Sequence, residues 1–256
     1  MENALSSTSY YFPDKKALLL HSDLSEFFID YYLNLKENNT QLSPRHDEQL
    51  KLLLACLSLH LTMRSPTETF AWTVHLQSEK PYSLFATGNS TGEYLVGQVL
   101  TDNIRHTDMS ILHSQVSRKS GEASKSIVKS ENNTVLGLFQ EFYLQSEQLS
   151  LHLACLENSD QAFALVAMPG YDKDWFGTES PTDVWESLES RQYKKMKECQ
   201  FYFHCNCSAE RLLPYLRTID NLTLEELFDG SDTLQANCPR CGKMFWISRK
   251  ELRESH

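Results

Sequence analysis

At 256 residues, with 41% hydrophobic and 11% aromatic positions, the chain has enough apolar material for one large packed domain or two smaller ones, which excludes a disordered protein. A net charge of −10 argues against a general nucleic-acid binder, because an acidic surface repels phosphate backbones. A membrane protein is not expected either, since the longest purely apolar runs, Leu52–Leu57 and Ala162–Met168, fall far short of the ~20 residues that span a bilayer.

Met1–Asp14 reads as a frayed arm, polar and aromatic, with no apolar signal core. Ala17–His21 is expected to be a short strand. Ser22 or Asp23 then caps a helix to about Leu35, with Glu26 placed to complete a capping box from Asp23 and Leu24, Phe27, Phe28 and Tyr31 at helical spacing. A polar connector, Glu37–Pro44, leads to a second helix from about Arg45 to Met63. Its apolar face carries Leu50, Leu53, Leu54, Leu57 and Leu61, with Cys56 in the core.

From Thr67 the period changes to two, with Phe70, Trp72, Val74 and Leu76 alternating with smaller or polar residues. Further strands are expected from Pro81, from Tyr94 to Leu100 after an Asn89–Gly92 turn, and over Met109–Val116 and Ala123–Val128. Thr134–Gln145 returns to helical spacing, and Leu149–Leu156 and Ala162–Met168 read as apolar strands, with Cys155 in the core. The fold class is therefore α+β: an N-terminal domain over 1–170 with a largely antiparallel sheet and helices, a linker over 171–199, and a small C-terminal domain over 200–256. The linker is expected to be partly helical, with Thr182–Lys197 as one amphipathic helix bearing Val184, Trp185, Leu188 and Met196. In the tail, Thr223-x-x-Glu226 and Ser248-x-x-Glu251 are capping-box signatures for helices over about Leu224–Phe228 and Arg249–Glu254. Ser208 is a further cap, but Pro214 should kink or delay the helix after it.

The chemistry is concentrated in this tail. Cys205 and Cys207 form a CxC pair, and Cys238 and Cys241 form a CxxC pair. Two thiol pairs suit a tetrahedral four-thiolate zinc site, closed to substrate, and Pro239 and Gly242 supply the tight turn of a knuckle. A domain of this size is poorly supported by an apolar core alone, so losing the metal should unfold it. A disulfide sulfur is a poor ligand, so oxidising either pair would eject zinc; an inert structural knuckle is the alternative. His204 is read as a flanking side chain, and Cys199 as a half-buried cysteine or a resolving thiol. Clustered thiols and the absence of an export signal point to a reducing cytoplasm. No phosphate loop, nucleophile elbow or HExxH occurs, so no enzyme activity is expected. Lys243, Arg249, Lys250 and Arg253 cluster near Phe245 and Trp246, a mixture able to bind RNA, but the tail holds seven basic against eight acidic residues and no nucleic acid is expected.

The tail resembles the redox-regulated thirty-three-kilodalton heat-shock chaperone family. The resemblance rests on Phe203-His-Cys-Asn-Cys-Ser-Ala-Glu-Arg211, Glu225-Glu-Leu227, Cys238-x-x-Cys-Gly-Lys-x-Phe245 and Ile247-Ser-x-x-x-Leu252. Gln140–Leu149 and Val166-Ala-Met-Pro169 resemble segments of that family's substrate domain, and the link from Pro169 to Cys205 is short for it. The resemblance implies a cytoplasmic holdase that binds unfolding proteins under oxidative stress. It implies one Zn2+ per chain in the reduced state, held by Cys205, Cys207, Cys238 and Cys241. It further implies redox-active disulfides joining Cys205 with Cys207 and Cys238 with Cys241, zinc release, and a homodimer when oxidised. The other reading is a non-enzymatic interaction protein whose four-cysteine zinc is purely structural.

Overall fold

The computed structural model describes residues 3–102, 104–118, 122–156 and 160–253. Strands β1 (Ala4–Phe12) and β2 (Ala17–Asp23) precede helices α1 (Phe27–Glu37) and α2 (Pro44–Met63). Five strands follow: β3 (Thr69–Leu76), β4 (Tyr82–Asn89), β5 (Tyr94–Leu100), β6 (Ser110–Ser117) and β7 (Ser124–Ser130). Helix α3 (Val135–Phe142), β8 (Leu151–Leu156), β9 (Gln161–Ala167) and two short helices, α4 (Lys173–Thr178) and α5 (Pro181–Glu186), lead to β10 (Lys194–Tyr202). The tail holds α6 (Ala209–Leu216), α7 (Asn221–Phe228), a hairpin of β11 (Thr233–Asn237) and β12 (Met244–Ser248), and α8 (Arg249–Arg253). This is the expected α+β class.

The first ten strands form one sheet in the order β7-β6-β3-β4-β5-β10-β1-β2-β9-β8. Every neighbouring pair is antiparallel except β10 and β5, which run parallel and share the single bridge Tyr202–Tyr94. One face packs on α2, whose Leu50, Leu54, Leu57 and Leu61 are buried in one cluster with Leu5, Leu20, Trp72, Leu84, Leu95 and Phe201. Ser43 caps α2 by accepting from the His46 amide at 3.2 Å, with Pro44 fitting the first turn. On the opposite face, α4 and α5 cover β2 and β9 through Phe176, Val184 and Leu188.

Several expectations are corrected. Met1–Asp14 is not a frayed arm: Ala4–Phe12 forms β1, paired on both sides with β2 and β10. Its Ser7, Thr8 and Ser9 are buried, which hides the apolar alternation of a central strand. Their polarity is absorbed by other hydroxyls, since Ser7 Oγ lies 2.6 Å from Ser22 Oγ and accepts from Thr62 Oγ1 at 2.7 Å. Helix α1 begins at Phe27 without a side-chain cap, because Ser22 and Asp23 remain in β2 and the Asp23 carboxylate accepts instead from the Ser25 amide at 3.1 Å.

Thr182–Lys197 is not one helix. Helix α5 ends at Glu186, a single 3-10 turn covers Leu188–Ser190, and β10 begins at Lys194. Met196, expected on a buried helical side, is 60% exposed on that strand. The gap between β5 and β1 takes an extended segment, so tertiary pairing overrides the local helical spacing. Lys197 serves the packing differently: its ammonium donates to the Leu61 carbonyl at 3.1 Å and the Arg64 carbonyl at 2.9 Å, capping the C-terminus of α2.

In the tail, Ser208 caps α6 by accepting from the Arg211 amide, and the helix forms with Pro214 inside it rather than being delayed. Ser248 and Glu251 form the expected reciprocal box, Ser248 N donating to Glu251 Oε2 at 2.7 Å and Glu251 N to Ser248 Oγ at 3.2 Å. For α7, Asp220 rather than Thr223 accepts the capping amide, that of Thr223, at 3.0 Å. Glu254 lies outside the described residues.

Candidate metal centre

Strand β10 delivers the first thiol pair. Tyr202 N donates to Glu93 O at 2.9 Å at its end, and Phe203 then packs edge-on against Phe27 and Tyr31 of α1, at 5.6 and 5.5 Å between centroids. These contacts stop the strand and set the direction of Cys205 and Cys207, whose turn closes through a Cys207 N–H to Cys205 carbonyl bond. Ser208 then starts α6.

The second pair is the turn of the β11–β12 hairpin. Cys238 N donates to Lys243 O at 2.8 Å, and Gly242 N donates back to Cys238 O at 3.0 Å. Gly242 has φ +76°, a left-handed conformation that glycine adopts without a Cβ penalty. The Arg240 amide points at Cys238 Sγ, 3.5 Å away.

The two turns bring all four sulfurs within 4.8 Å of one another. Cys205 Sγ lies 3.8 Å from Cys238 Sγ, and Cys207 Sγ lies 3.6 Å from Cys241 Sγ. A tetrahedron with zinc–sulfur bonds of about 2.3 Å has sulfur–sulfur edges of about 3.8 Å. The arrangement fits a four-thiolate metal ion. These two close approaches run between the knuckles rather than within them.

The thiols also perturb one another. Hydrogen bonding from the Cys205 and Cys241 thiols, with help from the Arg240 amide, pushes the Cys238 thiol down. Sharing with Cys238 pushes Cys205 up to about 12, and Cys205 and Cys238 together push Cys241 up. Four sulfurs this close do not all ionise without a cation among them. A bound metal supplies that charge and takes the place of the protons.

The cluster is seated on β5, which sequence reasoning did not single out. Cys238 and Cys241 are 2% and 7% exposed and pack on Val96. Gln98 Nε2 donates to the Cys238 carbonyl at 3.2 Å, and the Arg240 guanidinium stacks 4.7 Å from the centre of the Tyr94 ring. Tyr94, Val96 and Gln98 alternate along one strand, so their only local signal is that of a strand face.

The remaining candidates lie elsewhere. His204 approaches the Asn206 side chain and is no part of the four-sulfur group. Cys199 is buried on β10 opposite Ser7 and is no part of the four-sulfur group. Cys56 is buried with its thiol pushed up, and burial pushes Cys155 up to about 11. Of the basic cluster near Trp246, Arg249 pairs with Glu225 at 2.5 Å and stacks on Phe228, and Lys243 lies over Phe245. The Arg253 side chain lies outside what is described. No described helix is long and apolar enough to cross a membrane.

A large sheet packed on helices, with a small four-thiol module seated on one of its strands, defines an α+β protein with a cysteine-knuckle metal centre. The family model described as Hsp33 protein matches residues 32–248 of this chain. The chain belongs to the Hsp33 family. It is 19% identical over 268 residues to the 33 kDa chaperonin of Salmonella typhi, covering 87% of this chain and 88% of that one. It is 21% identical over 274 residues to the 33 kDa chaperonin of Cronobacter sakazakii, covering 91% and 94%. The crystal structure of the 33 kDa chaperonin (heat shock protein 33 homolog) of Thermotoga maritima superposes with a TM-score of 0.70 at 14% identity, over 98% of this chain and 97% of that one.

Proposed function

We propose that this chain is a molecular chaperone of the holdase type, in which Cys205, Cys207, Cys238 and Cys241 hold one Zn2+ when reduced and act as the redox switch when oxidised. The observation that carries this reading is the set of sulfur separations, 3.8 and 3.6 Å with all four within 4.8 Å, which match a closed tetrahedral shell. Zinc there supplies cross-linking charge and no open coordination position, so its work is structural. Oxidation would join Cys205 with Cys207 and Cys238 with Cys241, remove four ligands and release the ion. In this division of labour, 1–170 bind clients, 171–199 connect while packing onto and into the same sheet, and 200–256 report the oxidant.

Two features support coupling between the switch and the sheet. The second knuckle rests on Tyr94 and Val96, and Phe203, next to the first knuckle, rests on Phe27 and Tyr31. Unfolding the module would uncover apolar and aromatic surface on β5 and α1, which suits capture of unfolding proteins. A second copy of the chain in the oxidised form would compete for the same surface. Reduced thiols of this kind belong to a reducing compartment such as the cytoplasm.

The test is zinc stoichiometry and circular dichroism on the same samples before and after hydrogen peroxide, with aggregation of citrate synthase as the client readout. We expect zinc near one per chain before oxidant, loss of both zinc and tail structure after it, and protection by the oxidised form. Equal protection by reduced, oxidised and four-serine forms would defeat the switch. Zinc retained under mild peroxide would instead leave a purely structural site.

A further inference from the structure

The four sulfurs are not equally reachable. Cys238 is sealed between Val96 and its own turn, whereas the half-buried Cys205 and Cys207, together with the more deeply buried Cys241, line a cavity of about 580 Å3 that opens between α1 and the first knuckle. One wall of that cavity is α1, with Asp30 and, two turns further along, Glu37. Asp30 is held in place by Asn3, whose amide N and Nδ2 donate to it at 3.0 and 2.9 Å. The facing wall belongs to the module and carries Arg211 and Lys243. Leu33, 49% exposed, contributes an apolar patch at the mouth. Carboxylates on one side, cations on the other and thiols between them complement a small dipolar molecule that carries an ammonium, carboxylates and a sulfur.

We propose that this cavity is a binding and modification site for a low-molecular-weight peptide disulfide bearing a free amine and carboxylates. The inference rests on reading the four thiols as the switch, and adds the chemical class of reagent that addresses them. In the step, a sulfur of the Cys205–Cys207 pair attacks the bound disulfide. The ligand's S–S bond breaks, a new S–S bond forms to the cysteine, and the departing half leaves as a thiolate that takes its proton from water. The cysteine sulfur supplies the electron pair of the new bond, the retained half stays at the disulfide level, and the pair of the old S–S bond leaves on the departing sulfur, so the bound disulfide is the only oxidant needed. Cys241, 7% exposed at the edge of the cavity, and the sealed Cys238 are reached later.

The disulfide of γ-glutamyl-cysteinyl-glycine is the probe, with bis(2-hydroxyethyl) disulfide as the uncharged control, each reacted with the reduced full-length chain. Peptide mapping by mass spectrometry separates adducts on Cys205 and Cys207 from those on Cys238 and Cys241. We expect the charged disulfide to modify the first pair first. We also expect the double substitution Arg211→Gln with Lys243→Gln to slow it by about fivefold, the effect of losing two solvent-exposed ion pairs, with the uncharged reagent unaffected. Titration with the S-methyl form of the tripeptide, which cannot react, should shift the backbone amide resonances of Leu33, Arg211 and Lys243 in a saturable way. Equal modification of the two pairs, equal slowing of both reagents, or no saturable shift would overturn the site. A chain that shows the adduct pattern but gains no client protection would count against the proposed chaperone switch and leave the cavity assignment standing.

Discussion

Phe201 on β10 and Cys238 in the hairpin turn are both buried, at 0% and 2% exposure, but different physics holds them. Phe201 belongs to a continuous apolar cluster that runs across α2 and both halves of the sheet. Around the module's own elements, the fully buried apolar cluster consists of Phe228, Leu234, Ile247 and Leu252, and Cys238 meets three other thiols. Apolar burial is distributed over many side chains, so no single loss removes it all. Four thiols around one ion act as a unit, so one loss removes most of the support. On the proposed zinc reading, a molecule built this way lets go of one region while keeping the other folded.

The strongest way to break that comparison is at the thiols. Chelating the metal, or substituting Cys238→Ser, should remove an interaction worth about 10–16 kcal/mol and melt the module. Hydrogen exchange should then show protection lost over 205–252 and retained in β3, β4 and α2. Collapse of both regions together would show that the sheet leans on the module. Within the sheet, Phe201→Ala should cost about 3–5 kcal/mol of global stability through the cavity it leaves, with zinc stoichiometry unchanged. Loss of zinc in that variant would mean that β10 positions the first knuckle more tightly than its contacts indicate.

A smaller effect should follow Lys197→Met, which removes two charge-assisted bonds to the C-terminal carbonyls of α2. We expect a loss of about 1.5–3 kcal/mol, read as a lower urea midpoint at unchanged slope. An unaltered midpoint would show that water caps the helix equally well.

Acid sharpens the contrast further. Burial holds His60 and His21 below the ordinary 6.5, and Arg64 lowers His60 further. The Nε2 atoms of both histidines are buried without a partner among the described residues, while His60 Nδ1 lies 3.0 Å from Tyr143 Oη. Above pH 6.5 both forms of the chain hold these rings neutral, and stability is at its full value. Below it the unfolded chain takes up protons that the native chain refuses, so the sheet region loses stability as pH falls, by at most about 1.4 kcal/mol per pH unit for each ring. Urea midpoints at pH 7.5 and 5.5, with His60→Gln as the control, would check this; a midpoint that rises on acidification would rule it out.

Much of this was legible from local spacing. The thiol pairs, the Ser208 and Ser248 caps, the long helix α2, and the alternation in β3 all declare themselves within a few residues, because capping, turn closure and helical or strand periodicity act over that range. The four metal-ligand candidates belong to the same group. Other parts were not visible locally. Ala4–Phe12 looks like a polar arm because its buried hydroxyls satisfy one another only once β2 and α2 are in place. Lys194–Tyr202 has a helical-looking approach, and its partners are fixed by contacts such as Ser9 Oγ to Lys197 O at 3.4 Å, between residues 188 positions apart.

The sequence alone therefore determined which sulfurs are available and in what pairs, because two cysteines with only one or two residues between them must share a turn. The tertiary structure decided that the pairs face each other on Tyr94, Val96 and Gln98, that β10 closes the sheet between β5 and β1, and that Cys205, Cys207 and Cys241 line a charged cavity while Cys238 is sealed away from it. Those outcomes depend on which distant segments exclude water from one another, and residues far apart in the chain carry no record of their neighbours until the sheet brings them together.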